Sequence, residues 1–242
     1  IAVTGGGSGT GIAALINRKT DIANSSRSFK DSEIKLAIEI GVQVTPIIFA
    51  VDVLSFIVEE SLPIDRMSLD EIRGIFKGEI TNWSEVGGPD LDISLYGRQG
   101  NSGTFVYIQR DILKGDYSSQ MTQMNGSSQI VESVNNDQSG IGYVGIGYVT
   151  DSLQQVTHGI KVLTIEDNEN QSISSPLNTE DILEGRYPVV RPLYQYTDGY
   201  PSGKVKSFIE YELSPTGQDI IKNNGYFPIT SKHRNQNAQY LR

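Results

Sequence analysis

The chain has 242 residues, a formal net charge of -9 and no cysteine. With 37% apolar and 20% charged residues it has a globular composition, which excludes disordered and fibrous classes. Without cysteine there is no disulfide framework, thiolate metal site or cysteine nucleophile. The acidic balance argues against a nucleic-acid surface, although local dipoles can still hold one small anion.

In chain order, strand and helix signals alternate, the pattern of an α/β protein. "IAVTGGG" reads as a strand entering a glycine loop, so the sequence is expected to begin in mid-fold. Residues 11–18 read as a short helix and "TDIANSS" as a second strand ending in a polar turn. "SFKDSEIKLAIEIG" predicts a helix capped at Asp31 or Ser32, with Ile34, Ala37, Ile38 and Ile40 on one face. "VTPIIFAVDVLSFIV" is continuous and β-branched and reads as one or two buried strands. "SLDEIRGIFKG" carries both ends of a helix: a Ser68 cap with acidic residues in the first turn, and Gly78 at the stop.

Trp83 in "EITNWSEVGG" reads as a packing anchor. "DISLYGRQGNSGTFVYIQRDILKG" repeats the opening order of strand, polar glycine loop and helix. "SGIGYVGIGYVT" suits a strand closely approached by another element, and "PVVRPLYQYT" is a further strand. The tail, "SGKVKSFIEYELSPTGQDIIKNNGYFPI", is a helix pair joined at Ser214-Pro215. No Pro/Ser-rich linker interrupts the chain.

The internal echo is "GGSGTG" at 6–11 and "GNSGTF" at 100–105. A helix start offers unpaired N–H groups and a partial positive charge, and glycine lets the backbone curl around an anion. Ser8, Thr10, Ser102 and Thr104 add hydroxyls, and Arg27 and Arg98 supply guanidinium forks. Either loop alone is explained by ordinary helix capping, and either arginine by a surface ion pair. The shared Ser-Gly-Thr order is what points to one ligand.

Enzyme readings find less support. Ile12 and Ala13 stand where a nucleotide-phosphate loop needs lysine and a hydroxyl, and no triplet of the first loop's glycines satisfies G-x-G-x-x-G. His158 and His233 lie near neither serine loop. No catalytic residue, metal site or cofactor is assigned, and paired carboxylates such as Glu59-Glu60 read as solvated charges.

"GGGSGTGIAALINRKTDIANSSR", "IFKGEITNWSEVGG", "GRQGNSGTFVYI", "SGIGYVGIGYV" and "LSPTGQDIIKNNGYFPI" together resemble the phosphate-binding proteins of ABC phosphate importers. These belong to the two-lobed periplasmic-binding-protein class. The resemblance spans nearly the whole chain and implies two lobes of mixed sheet flanked by helices, joined by a two-strand hinge. The first lobe is expected at 1–52 with 195–242, and the second at 53–194.

By the same resemblance, inorganic phosphate is held by Ser8, Gly9, Ser26 and Arg27 from one lobe. Arg98, Ser102, Gly103 and Thr104 act from the other. The implied function is extracytoplasmic capture of phosphate and delivery to an ABC permease by a monomer, without covalent chemistry. Two departures from the family pattern stand out. Ser26 and Gly100 occupy positions where carboxylates are usual, which keeps open a binder of another tetrahedral oxyanion such as sulfate. A phosphate-handling enzyme is the further alternative. The family also begins with another strand, loop and helix, so an N-terminal truncation that removes a secretion signal or lipid anchor is expected.

Overall fold

The structure is a computed structural model that describes residues 1–151 and 155–241. It is a mixed α/β protein whose chain divides into two compact units. Unit 1 comprises Ile1–Asp52, Gly100–Thr104 and Arg191–Arg242; unit 2 comprises Val53–Gln99 and Phe105–Val190.

The chain opens with α1 (Ser8–Ile16), β1 (Ala23–Ser25), α2 (Asp31–Glu39) and the long strand β2 (Val44–Glu59). It continues through β3 (Arg66–Ser68), α3 (Leu69–Lys77), β4 (Ser94–Arg98), α4 (Gly103–Tyr107), β5 (Thr122–Met124) and α5 (Ser127–Asn135). Then come β6 (Gly140–Gly145), β7 (Ile160–Val162), β8 (Thr164–Asp167), β9 (Ser172–Ser174) and α6 (Thr179–Leu183). It closes with β10 (Val190–Asp198), α7 (Gly203–Leu213), α8 (Pro215–Asn223) and α9 (Ser231–Ala238).

In unit 1, β1 runs antiparallel to β10, with Ala23 opposite Tyr196 and Ser25 opposite Tyr194, and β10 neighbours β2. Ile12, Leu15 and Ile16 of α1 recur at the three- and four-residue spacing that makes one helical face. That face is buried with Ala23, Phe29, Ala37, Val42 and Tyr196. The Phe29 and Tyr196 rings meet edge-on at 4.6 Å. Each buried Ile or Leu contributes about 1.5–3 kcal/mol, so this small core fixes where α1 begins.

In unit 2, the second half of β2 is antiparallel to β6, with Leu54 opposite Gly145 and Val58 opposite Ile141. β6 and β4 are parallel, as are β4 and β5. A smaller sheet joins β3 parallel to β8 and β8 antiparallel to β9. Gly142 of β6 faces Ile130 and Val134 of α5 so closely that a side chain there would collide. The α3 ends are as the sequence predicts: Ser68 Oγ accepts from Glu71 N–H, Glu71 accepts from Ser68 N–H at 2.7 Å, and Gly78 is left-handed. Trp83 is fully buried and its Nε1 donates to Ser139 O at 3.0 Å.

Three expectations are revised. Residues 1–7 form no strand; Ile1 and Val3 are 99% and 85% exposed, and the segment enters no ladder among the described residues. On α2 only Ala37 is buried, while Ile34 and Ile38 stay 40% and 70% exposed, and the cap is Lys30. Residues 100–104 and 191–194, expected with the 53–194 block, group with unit 1: Asn101 and Gly103 lie against the first glycine loop, and Arg191 bonds Asp52 and Thr104.

Candidate functional site

Both glycine loops meet within unit 1. Gly9 N–H donates to Asn101 O at 3.1 Å, and Gly7 abuts the Asn101 carbonyl where no side chain would fit. Ser8, the first residue of α1, accepts Ser26 N–H at 3.0 Å and has its Oγ 3.3 Å from Ser26 Oγ. Gly103 faces both hydroxyls, and any Cβ there would strike them. Ser8, Gly9, Ser26 and Gly103 are therefore gathered at one place by backbone approach that only glycine permits. Next to Gly103, Thr104 N–H donates to Ser102 Oγ at 3.2 Å, and both side chains are buried.

Arg27 is committed to a carboxylate. Its Nη1 and Nη2 each donate to one oxygen of Glu33 at 2.7 Å, and Nη1 also reaches Ser28 O. The Arg27 side chain is 2% exposed, and its Nε is enclosed without a hydrogen-bond partner. Burial pushes the Glu33 carboxyl up, but the Arg27 side chain and the Lys30 amide outweigh it and hold it below its ordinary value. The sequence reading expected this arginine's fork to face the anion; the structure turns it to Glu33, six residues along the chain.

Arg98, at the end of β4 in unit 2, is placed differently. Its backbone N–H donates to Tyr143 Oη at 3.1 Å, and its Nη1 reaches Ser127 Oγ at 3.3 Å. Its Nε is enclosed without a hydrogen-bond partner, and among the described residues no carboxylate pairs with it. A half-buried, uncompensated guanidinium suits an anion.

The chain matches the family model described as the PBP superfamily domain over residues 1–216. It is 30% identical to the phosphate-binding protein PstS of Pseudomonas aeruginosa, across 96% of this chain and 75% of that one. The chain belongs to the PBP superfamily, among the PstS phosphate-binding proteins.

Solved structures agree on the fold. An ABC-type phosphate transport receptor from Vibrio cholerae matches with a TM-score of 0.74 at 26% identity, covering 94% of this chain and 88% of that one. A Clostridium perfringens protein solved with bound phosphate shares the fold, with a TM-score of 0.78 at 24% identity, covering 93% and 85%.

In this PstS-family chain one pair of site-adjacent residues escaped the sequence reading. Arg191 Nε and Nη2 donate to Asp52 Oδ2 at 3.1 and 2.8 Å, and Arg191 Nη2 also donates to Thr104 Oγ1 at 2.8 Å. All three are buried. Their signal was present in the sequence: one charge of each sign interrupts the apolar runs "FAVDVLSF" and "VVRPLYQY". Two strand-interior charges need a buried partner each, and they are each other's. His158 is fully exposed, and His233 Nδ1 accepts from Thr230 N–H, so neither histidine serves a serine of the loops. Among the described residues no cluster of three metal-ligating side chains occurs, and no helix is long and apolar enough to cross a membrane.

Proposed function

We propose that this chain captures inorganic phosphate outside the cytoplasmic membrane, as a monomer, and delivers it to an ABC permease without covalent chemistry. The observation that carries the reading is Arg98, half-buried with its Nε enclosed and with no carboxylate partner among the described residues, in a chain whose relatives are named phosphate-binding proteins. Arg98 supplies the charge. Ser8, Gly9, Ser26, Ser102, Gly103 and Thr104 supply hydroxyl and amide donors. Arg27, held by Glu33, braces the loop that carries Ser26 instead of donating its fork to the ligand.

Calorimetric titration of the purified chain with phosphate, beside sulfate, tests this. Saturable phosphate binding that sulfate does not match supports the reading; failure of phosphate to bind overturns it. Equal binding of the two would favour a general tetrahedral-oxyanion binder. One observation speaks for that second reading: Ser26 and Gly100 provide no carboxylate to accept the proton that phosphate has and sulfate lacks.

A further inference from the structure

The Thr104 hydroxyl bonds a charged side chain, and the direction of that bond is fixed. Arginine has no acceptor, so Thr104 Oγ1 must accept from Arg191 Nη2, at 2.8 Å. Its own proton therefore points elsewhere. Arg191 cannot swing away, because Nε and Nη2 both bond Asp52 Oδ2, and the two side chains are 5% and 7% exposed. Asp52 neutralises Arg191, so the pair adds polarity at Thr104 without a second net charge. The three residues also close three chain segments: Asp52 ends the first part of unit 1, Thr104 ends the second, and Arg191 opens the third. A buried ion pair is weak as a source of stability, since apolar residues of similar volume often serve as well. Its presence beside a ligand hydroxyl calls for another reason.

We propose that Asp52 and Arg191 are positioning residues for anion binding: Arg191, oriented by Asp52, occupies the acceptor side of the Thr104 hydroxyl and commits its proton to the ligand. This rests on the phosphate-binding reading above. Neither residue touches the anion in this scheme; both act through Thr104.

The test is a double-mutant cycle on phosphate affinity, read by calorimetry with Tm followed in parallel. Thr104→Val removes the hydroxyl; the combined Asp52→Leu/Arg191→Met replaces the pair without stranding a buried charge. Thr104→Val is expected to weaken binding by about tenfold, the order of one hydrogen bond to a charged group, and Thr104→Ser by less. The pair replacement should weaken binding by a similar factor. The triple variant should bind no more weakly than the pair replacement alone, whatever its Tm. Should the pair replacement not fold, Arg191→Lys, which keeps the charge and loses the fork, takes its place in the cycle. If Thr104→Val costs the same factor with and without the pair, Arg191 and Asp52 are structural only and the proposal fails. Wild-type protein that does not bind phosphate would instead overturn the functional reading.

Discussion

Arg27 lies just after β1 and Arg98 ends β4, in different units, and the sequence offers both as anion ligands. In the structure they part. Arg27 gives both fork nitrogens to Glu33, while the Arg98 guanidinium has a 3.3 Å bond to Ser127 Oγ and, among the described residues, no carboxylate. Each leaves its Nε enclosed and unbonded, so burial alone does not separate them. The carboxylate does: a guanidinium already neutralised by a bidentate partner gains little from an arriving anion, whereas an uncompensated one gains a charge-assisted bond and loses a desolvation penalty. On that ground Arg98, and not Arg27, is the arginine proposed to receive the anion.

The sharpest way to break this contrast is to truncate each arginine in turn. Arg98→Met should cost phosphate binding roughly 3 kcal/mol, about 100-fold in affinity. The Tm of the ligand-free protein should not fall, because no ion pair is lost. Calorimetry and a thermal melt on the same sample check both halves.

Arg27→Met should do the reverse. Removing one partner of a buried pair costs about 3–5 kcal/mol, and with the Glu33 side chain 21% exposed we expect about 2 kcal/mol of stability. Phosphate affinity should change by less than about tenfold. Denaturant melts of wild type and variant would measure the first and calorimetry the second; a loss of affinity matching Arg98→Met would erase the distinction.

Acid sharpens the comparison further. Glu33 is held below its ordinary value of 4.5, so its folded-state pKa is depressed. The stability it contributes is present above pH 4.5 and is lost as pH falls through the folded value. The gap between wild type and Glu33→Gln should therefore narrow below pH 4.5, as followed by denaturant melts across pH 3 to 7 (roughly the window set by that shift).

The smallest effect concerns a carboxylate in the same plight as Arg98. Burial pushes Glu212 up to about 7, against a hydrogen bond from Gln195 that lowers it. Its folded pKa is raised, so the folded chain holds an extra proton between 4.5 and about 7, and stability falls as pH rises across that window. Glu212→Gln should be near neutral at low pH and stabilise by about 1 kcal/mol above pH 7, a figure reduced for its partial exposure. A Glu212→Gln advantage over wild type no larger at pH 8 than at pH 5 would show that Glu212 is well solvated after all.

What the sequence disclosed follows distance along the chain. The ends of α3 are local chemistry, Ser68 with Glu71 and then Gly78, and they form as written. The meeting of Ser8, Ser26 and Gly103 could be suspected from the repeated Ser-Gly-Thr order, but their gathering within unit 1 depends on Gly9 N–H finding Asn101 O, which no local pattern encodes. The strand expected at 1–7 needs a ladder partner as well as β-branched residues. On α2, Ile34, Ala37 and Ile38 do share a helical face and Ile40 lies past its end, but apolar spacing alone does not say what will cover that face, and only Ala37 is buried. The Asp52–Arg191 pair spans 139 positions. Each member looks like an anomaly in its own strand until the other is placed beside it.

Whether Arg98 and not Arg27 receives the anion is read from the arginine side-chain Nε–H resonances, followed by NMR during a phosphate titration. Assignment comes from the two Arg→Met variants. The Arg98 resonance should move in proportion to saturation, while that of Arg27, bound to Glu33 throughout, stays in place. A titration in which the Arg27 signal moves and the Arg98 signal does not would make Arg27 the anion's arginine instead.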